Sequence, residues 1–474
     1  MTPICRLRAA TVAALLAVLA APAAFGAALT PRSPIEYDHL AREIFAELIG
    51  IDTTHAIGSA KAADALAARL QTAGFPAADV YVGGPRPDKM NIVVRLHGRG
   101  RGKPVLFNAH LDVVEAIRET WSVEPFVLTE KDGFFYGRGT IDVKEEVAIL
   151  TTNLIRLRRE HVTPDRDVIL FFNTDEESGG DANGVEWMLK EHRPLIEADL
   201  VINQDAGKVQ ALHGEKLWNT IQTAEKVYAT YALTTTGAGG HSSLPPRDNA
   251  IARLARALAR LDAYQFPVRF SGTTRRYLEA ASARIGGDTA AAVHALLANP
   301  ADAAALERLR DAPVLNAQAH STCPVTVLEG GQSESALPMR AKATIQCRLL
   351  PDEKPDEVLA TLRRVVDDPA VEIGVVWEPV PSPAAALDEA VVARVAQVTG
   401  QMWPGLKVVP VMSAGASDNV YFRIAGLPTY GVSGTVADES DIRAHGRDER
   451  VGVDAFYESL EFSYRLIRSL AAAR

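Results

Sequence analysis

Three short β-rich runs, each ending in a histidine or carboxylates, constrain this chain more than any other feature. Residues 104–109 run into His110-Leu111-Asp112, residues 167–173 into Asp175-Glu176-Glu177, and residues 199–204 into Asp205. Apolar residues at helical spacing precede and separate them, at 37–51, 60–73 and 145–159. Strands alternating with helices predict an α/β fold, with a central mixed sheet flanked by helices. In open sheets of this kind ligands bind beyond the carboxyl ends of the strands. Polar residues delivered there should therefore converge on one crevice.

The middle of the chain has a different order. Residues 226–236 alternate as a strand, and 249–261 read as a helix capped by Asp248 or Asn249. Ala-rich helical sequence follows from Tyr277 to about Leu309. Then come a hairpin of residues 322–328 and 341–349, a helix at 355–366 and a strand at 371–377. Strand, helix, two strands, helix, strand is the order of a small ferredoxin-like α+β domain. Pro381-Ser382-Pro383 suits a return linker. A helix at 388–399, strands at 407–412 and 429–432 and a helix at 453–472 resume the first pattern. The expected division is a catalytic domain at 28–224 and 381–474, interrupted by a lid or dimerisation domain at 225–380.

Residues 1–27 are set apart as a signal peptide: Arg6 and Arg8 precede an apolar run from Ala9 to Ala21, and small residues follow. An apolar run of about 13 residues is too short to span a bilayer. The expected setting is export, to a periplasmic or extracellular space, with no membrane attachment after cleavage. A formal net charge of -9 argues against a nucleic-acid partner, which would reward a basic stripe. Cys5 leaves with the leader. Cys323 and Cys347 flank the hairpin, and if residues 327 and 343 face each other the two cysteines do too, within reach of a disulfide. Two buried thiols are the alternative.

A fourth cluster, Tyr136-Gly137-Arg138-Gly139-Thr140-Ile141-Asp142, is a Gly-rich loop that delivers Asp142 just before a helix. Histidine with carboxylates is the ligand set of zinc and similar divalent ions. Taken one at a time, a lone His is usually a satisfied polar residue and Asp-Glu-Glu a solvated helix start. Four such clusters at strand ends and loops carry more weight than any one.

These blocks, extended to Val143-Lys144 and Ser178-Gly179-Gly180 and joined by His445-Gly446-Arg447-Asp448-Glu449, resemble the signatures of metallopeptidase family twenty. That family includes glutamate carboxypeptidase, succinyl-diaminopimelate desuccinylase, acetylornithine deacetylase, aminoacylase and several dipeptidases. The resemblance runs from about residue 40 to the C-terminus. It implies two divalent ions, zinc first with cobalt or manganese as alternatives. Asp142 would bridge them, His110 and Asp205 completing one site and Glu177 and His445 the other. Asp112 would orient the His110 imidazole, and Glu176 would be the general base. His241, in Gly239-Gly240-His241-Ser242-Ser243, would supply an oxyanion donor, often across a homodimer interface made by the lid. Arg348 would grip a substrate carboxylate, and Gly415, in the loop 413–419, would offer backbone N–H groups to substrate. The implied reaction is metal-dependent hydrolysis of an amide in small peptides, by an exported carboxypeptidase or dipeptidase. N-acyl-amino-acid deacylation on the same site is the alternative.

Two departures stand out. Lys144 is followed by Glu145 and Glu146 where the family has Lys-Gly or close to it; carboxylates are tolerated at a helix start and are expected to be solvated. Asp205 replaces the Glu of many relatives, which weakens a pure carboxypeptidase assignment. Readings from other classes fare worse. No Gly-x-Ser-x-Gly elbow supports a serine hydrolase. A non-catalytic binding protein on this fold would be expected to lose some of Glu176, Asp142 or His445. A structural metal protein would need closed tetrahedral sites.

Overall fold

The computed structural model describes residues 30–178 and 182–473. The leader expected at 1–27 and the Gly179-Gly180 pair lie outside them. Among the described residues no helix is long and apolar enough to cross a membrane.

All six residues of the strand Val105–His110 are buried, as expected of a strand covered on both faces. It pairs in parallel with Val168–Asn173 on one side and Leu200–Asn203 on the other. Lys89–Leu96 and Val80–Arg86 continue the sheet antiparallel beyond Val168–Asn173. Beyond Leu200–Asn203 come Thr429–Gly431, Glu215–Glu225, Val209–Leu212 and Val436–Asp438, while Val408–Ser413 also pairs with Glu215–Glu225, for ten strands among the described residues. Helices Ile35–Gly50, Lys144–Arg159 and Val453–Ala471 cover one face through a core that includes Phe45, Leu154 and Phe456. Helices Gly184–Glu191 and Asn419–Ile424 cover the other through Met188 and Phe422. The chain is thus α/β, as its alternation predicts.

Glu215–Glu225 carries no recognisable strand pattern because Asn219, Thr220, Gln222 and Thr223 are polar yet buried. The sheet tolerates them because they find partners. Asn219 donates to Thr399 Oγ1 at 3.1 Å and Thr220 to the Lys208 carbonyl at 2.8 Å.

A second, antiparallel sheet has the order Val325–Gly330, Arg340–Leu349, Val227–Thr236, Val371–Trp377. Helices Ala250–Asp262 and Pro355–Val366 pack on it through Leu254, Ala257 and Leu362, giving the ferredoxin-like pattern. Of the two candidate caps, the Asn249 side chain takes the role, accepting from Ala252 N–H. The hairpin register differs from the simple one. A bulge sets Val327 opposite Thr344 rather than Ala343, while Val325 faces Ile345 and Thr322 bridges Arg348. Cys323 still meets Cys347, and the two form a disulfide.

The span expected to lie wholly in the lid contains an insert that packs elsewhere. Helices Gly272–Ile285, Gly287–Ala298, Ala303–Leu309 and Pro313–Ala319 bury Tyr277, Leu296 and Leu315 against Trp218 and Val409 of the main sheet. Trp218 meets Tyr277 edge to face at 6.1 Å. Apolar spacing announces that these helices are covered, and the covering surface is the large sheet.

Candidate active site

His110 closes its strand 2% exposed. Its Nδ1 donates to the main-chain carbonyl of Asp112 at 2.9 Å, which fixes the ring's orientation and turns Nε2 outward. Nε2 lies 3.1 Å from Asp142 Oδ1 and 4.0 Å from Asp205 Oδ1. Asp112 meets the imidazole Nδ1 through its main-chain carbonyl, with its carboxylate Oδ1 3.8 Å from the same nitrogen, and that carboxylate also reaches the adjacent strand end. There it accepts the N–H of Glu176 at 3.1 Å and of Glu177 at 3.0 Å. Parallel pairing makes this reach short, since His110 sits opposite Asn173.

Asp142 arrives on a loop that only glycine can build. Gly139 has φ +88, and a Cβ there would come within 2.9 Å of Val113 Cγ1. Asp142 Oδ2 is 3.0 Å from His445 Nε2, which lies 3.0 Å from Glu177 Oε1. Two groups therefore form, His110–Asp142–Asp205 and Asp142–Glu177–His445, with ligand atoms in each within 4.8 Å of one another. Asp142 belongs to both and turns one oxygen to each histidine. Asp205 stands just past its strand, its N–H donating to Asn203 Oδ1 at 3.0 Å.

The loops bearing Asp142 and His445 are tied by residues whose role the sequence pattern does not disclose. Arg138 forms a buried ion pair with Glu449. Its guanidinium also donates to the carbonyls of Glu115, His445 and Gly446 at 3.2, 3.4 and 3.1 Å. Glu449 Oε1 accepts the Ile141 N–H at 2.9 Å. Opposite charges in two Gly-containing blocks were the available signal. Asp418, in the loop after Val408–Ser413, accepts from the side-chain amides of Asn173 and Asn183, and burial pushes its carboxyl up to about 7. Lys208 donates to the Ile141 carbonyl beside Asp142.

The charges are strongly coupled. Burial would raise the Asp142 carboxyl, but hydrogen bonds from His110 and His445 outweigh it and hold it below the carboxylate range. Hydrogen bonds to Asp142 and Glu177 push His445 up to about 10 against burial. Burial, with Asp418, Asp205 and Glu177 nearby, pushes the Glu176 carboxyl well above its ordinary range, against the pull of His110. Two imidazoles and three carboxylates converging in a crowded acidic centre are the donor chemistry of divalent ions such as zinc. The shared Asp142 suits a pair of them.

Glu145 and Glu146 are not solvated, since neither has exposed surface. The first turn of Lys144–Arg159 is covered by other elements. Glu146 accepts hydroxyls of Ser433, Thr435 and Ser459, and Glu145 lies 3.9 Å from the Lys208 ammonium. Lys144 donates to the carbonyls of Leu48 and Ile51, at the end of the first helix.

The remaining candidates stand apart from the cluster in their contacts. His241 is exposed, and Nδ1 accepts the Ser243 N–H at 3.2 Å. Half-buried Arg348 donates through Nε to Gln346 Oε1 at 3.1 Å and lies over the Tyr228 ring at 4.7 Å. Among the described residues no carboxylate is paired with its guanidinium. The Gly415 N–H donates to Ser413 Oγ at 3.0 Å, so that amide is engaged within its own loop instead of being offered to a ligand.

Residues 106–469 match the sequence model of peptidase family M20/M25/M40. The human N-fatty-acyl-amino acid synthase/hydrolase PM20D1 is 28% identical over 377 residues, 77% of this chain and 74% of that protein. An M20 family metallo-carboxypeptidase from Sulfolobus solfataricus superposes with a TM-score of 0.69 at 19% identity, over 91% of this chain and 99% of its own. The Bacillus subtilis YXEP protein, described as a dinuclear metal binding peptidase from the M20 family, does so with a TM-score of 0.59 at 12% identity, over 92% and 99%.

Proposed function

The chain belongs to peptidase family M20/M25/M40 and is a metal-dependent hydrolase, and from that premise we propose that it cleaves amides whose amine side is an amino acid with a free carboxylate. The observation that carries this reading is the pair of ligand groups sharing Asp142 with Glu176 alongside. His110, Asp142 and Asp205 would hold one ion and Asp142, Glu177 and His445 a second, zinc first, with cobalt or manganese as alternatives. Bound there, two divalent ions would acidify a water and polarise the scissile carbonyl.

The protein's own residues supply the rest. Glu176 takes the proton of the attacking water and returns it to the leaving amine. Burial raises its carboxyl above the ordinary range, which makes the carboxylate a stronger proton acceptor. Asp112 holds the backbone on which Glu176 and Glu177 ride. His241 is assigned the oxyanion donor. Because its Nδ1 accepts from Ser243, the neutral ring carries its proton on Nε2, the donor form that role needs. Arg348, aligned by Gln346 and Tyr228, is assigned the substrate carboxylate.

Small peptides are the first substrate class. N-acyl amino acids are the second, favoured by the similarity to the human N-fatty-acyl-amino acid synthase/hydrolase. The charged and apolar start of the sequence and the Cys323–Cys347 disulfide support an exported setting. The edge strand Val325–Gly330, exposed along its length with Val325, Val327 and Leu328, supports a homodimer through the lid.

A panel of dipeptides, C-terminally blocked peptides and N-acyl amino acids, assayed with the zinc-loaded protein, tests the reading. Cleavage of blocked C-termini would overturn the Arg348 assignment. Glu176→Ala should abolish turnover while zinc content stays near two per chain; retained turnover would overturn the base.

A further inference from the structure

Lys89 opens the strand Lys89–Leu96 with none of its surface exposed. A buried ammonium persists only where charge and hydrogen bonds compensate its lost hydration. Its Nζ donates to Asp175 Oδ1 at 2.5 Å and to the His55 carbonyl at 2.8 Å, and lies 3.1 Å from His55 Nδ1. Asp175 Oδ1 is in turn 2.9 Å from His55 Nδ1. The same strand grips the preceding residue too, the Thr174 N–H donating to Asn91 Oδ1 at 3.0 Å.

Asp175 is where the chain turns out of Val168–Asn173 towards the site. It has φ +59, a left-handed conformation that is uncommon outside glycine and most accessible among the rest to Asp and Asn. The next two residues are Glu176 and Glu177, whose amides rest on Asp112. The segment is thus held on both sides: Lys89 grips the side chain of Asp175, and Asp112 grips the amides beyond it.

We propose that Lys89 is a positioning residue: by pinning Asp175 it sets the direction in which the chain delivers Glu176 and Glu177. The inference rests on the base and ligand roles assigned to those two glutamates. Lys89 touches neither substrate nor ligand, so its effect passes through the backbone. A merely structural buried pair would lower stability and leave the properties of the site in proportion.

The test uses Lys89→Met, which keeps the stem and removes the charge, and Asp175→Asn, which keeps the shape and tolerates the left-handed turn. Turnover is measured on the best substrate of the panel with zinc filling both sites. In Lys89→Met kcat should fall on the order of a hundredfold with KM within about threefold, the signature of a displaced reacting group. Calorimetric zinc titration should show one of the two equivalents weakened roughly tenfold, that of Glu177, and the other unchanged. Asp175→Asn should move the same readouts in the same direction. The double variant should be no worse than Lys89→Met alone, because the two act as one unit. Unchanged kcat and zinc affinities in a folded variant would overturn the proposal, as would equal weakening of both equivalents or multiplicative losses in the double variant. Should Lys89→Met fail to fold, Asp175→Asn decides by the same measurements. A wild-type protein that binds two zinc ions and cleaves nothing in the panel would defeat the functional reading, while the zinc titration still judges Lys89.

Discussion

Replacing Arg138 by Met keeps an unbranched apolar stem and deletes the charge. Glu449, with no exposed surface, then becomes a buried carboxylate without its cation. The carbonyls of Glu115, His445 and Gly446 lose a donor at the same time. Removing one partner of a buried ion pair costs about 3–5 kcal/mol, and each lost hydrogen bond adds roughly 0.5–1.5 kcal/mol less what water restores. A total near 5 kcal/mol rivals the whole stability of a typical domain, about 5–15 kcal/mol. The protein should relieve it locally, by releasing the loop that carries His445 and Glu449 while the sheet stays folded. On the proposed ligand sets, calorimetric zinc titration should then show one equivalent weakened by about 10- to 100-fold, while the one assigned to His110 and Asp205, at strand ends, stays unchanged. Adding Glu449→Gln removes the orphaned charge and should recover more than half of the lost Tm, but not the zinc affinity, because the loop carbonyls still lack their donor. Equal weakening of both equivalents, or no Tm recovery in the double variant, would refute this reasoning.

Two further outcomes follow from buried or bonded groups elsewhere. Burial lowers Lys226 to about 8, so between pH 8 and 10.5 the unfolded chain binds the extra proton and stability should rise with pH, by about 3 kcal/mol across the window; denaturant unfolding at pH 8 and pH 10 should show that rise in the wild type and lose it in Lys226→Met, and an equal rise in both would refute it. Replacing Cys323 and Cys347 together by Ala opens a loop of 24 residues and should cost about 3 kcal/mol, read as a lower denaturation midpoint; an unchanged midpoint would show that the hairpin alone holds the register.

How much of this was legible in the sequence depends on where each residue sits. His110, Glu177 and Asp205 were visible because strands end beside them, and strand periodicity is a local signal. Asp142 and His445 ride on loops without periodicity, so only their motif blocks pointed to them. Lys89–Asp175 and Arg138–Glu449 are separated by 86 and 311 residues, and the blocks that contain Asp175, Arg138 and Glu449 do not say which charge meets which. Glu145 and Glu146 misled for the same reason: a helix start predicts solvation unless other elements cover it. For Asp112 the contact with His110 was legible, and the second task of its carboxylate, accepting the amides of Glu176 and Glu177, was not, because it depends on which strand end lies alongside. The insert helices announced an apolar face without saying which sheet would receive it.

Thr429–Gly431 is short, yet it lies between Leu200–Asn203 and Glu215–Glu225 in the middle of the main sheet. During synthesis those two strands emerge long before the one that joins them, and until it arrives each keeps an unsatisfied edge open to other chains. The sheet cannot close from local contacts, which places a slow, long-range pairing late in folding. The same C-terminal stretch brings His445 and Glu449. Joining the two halves of the sheet and completing the second group, that of His445, therefore depend on the same stretch of chain.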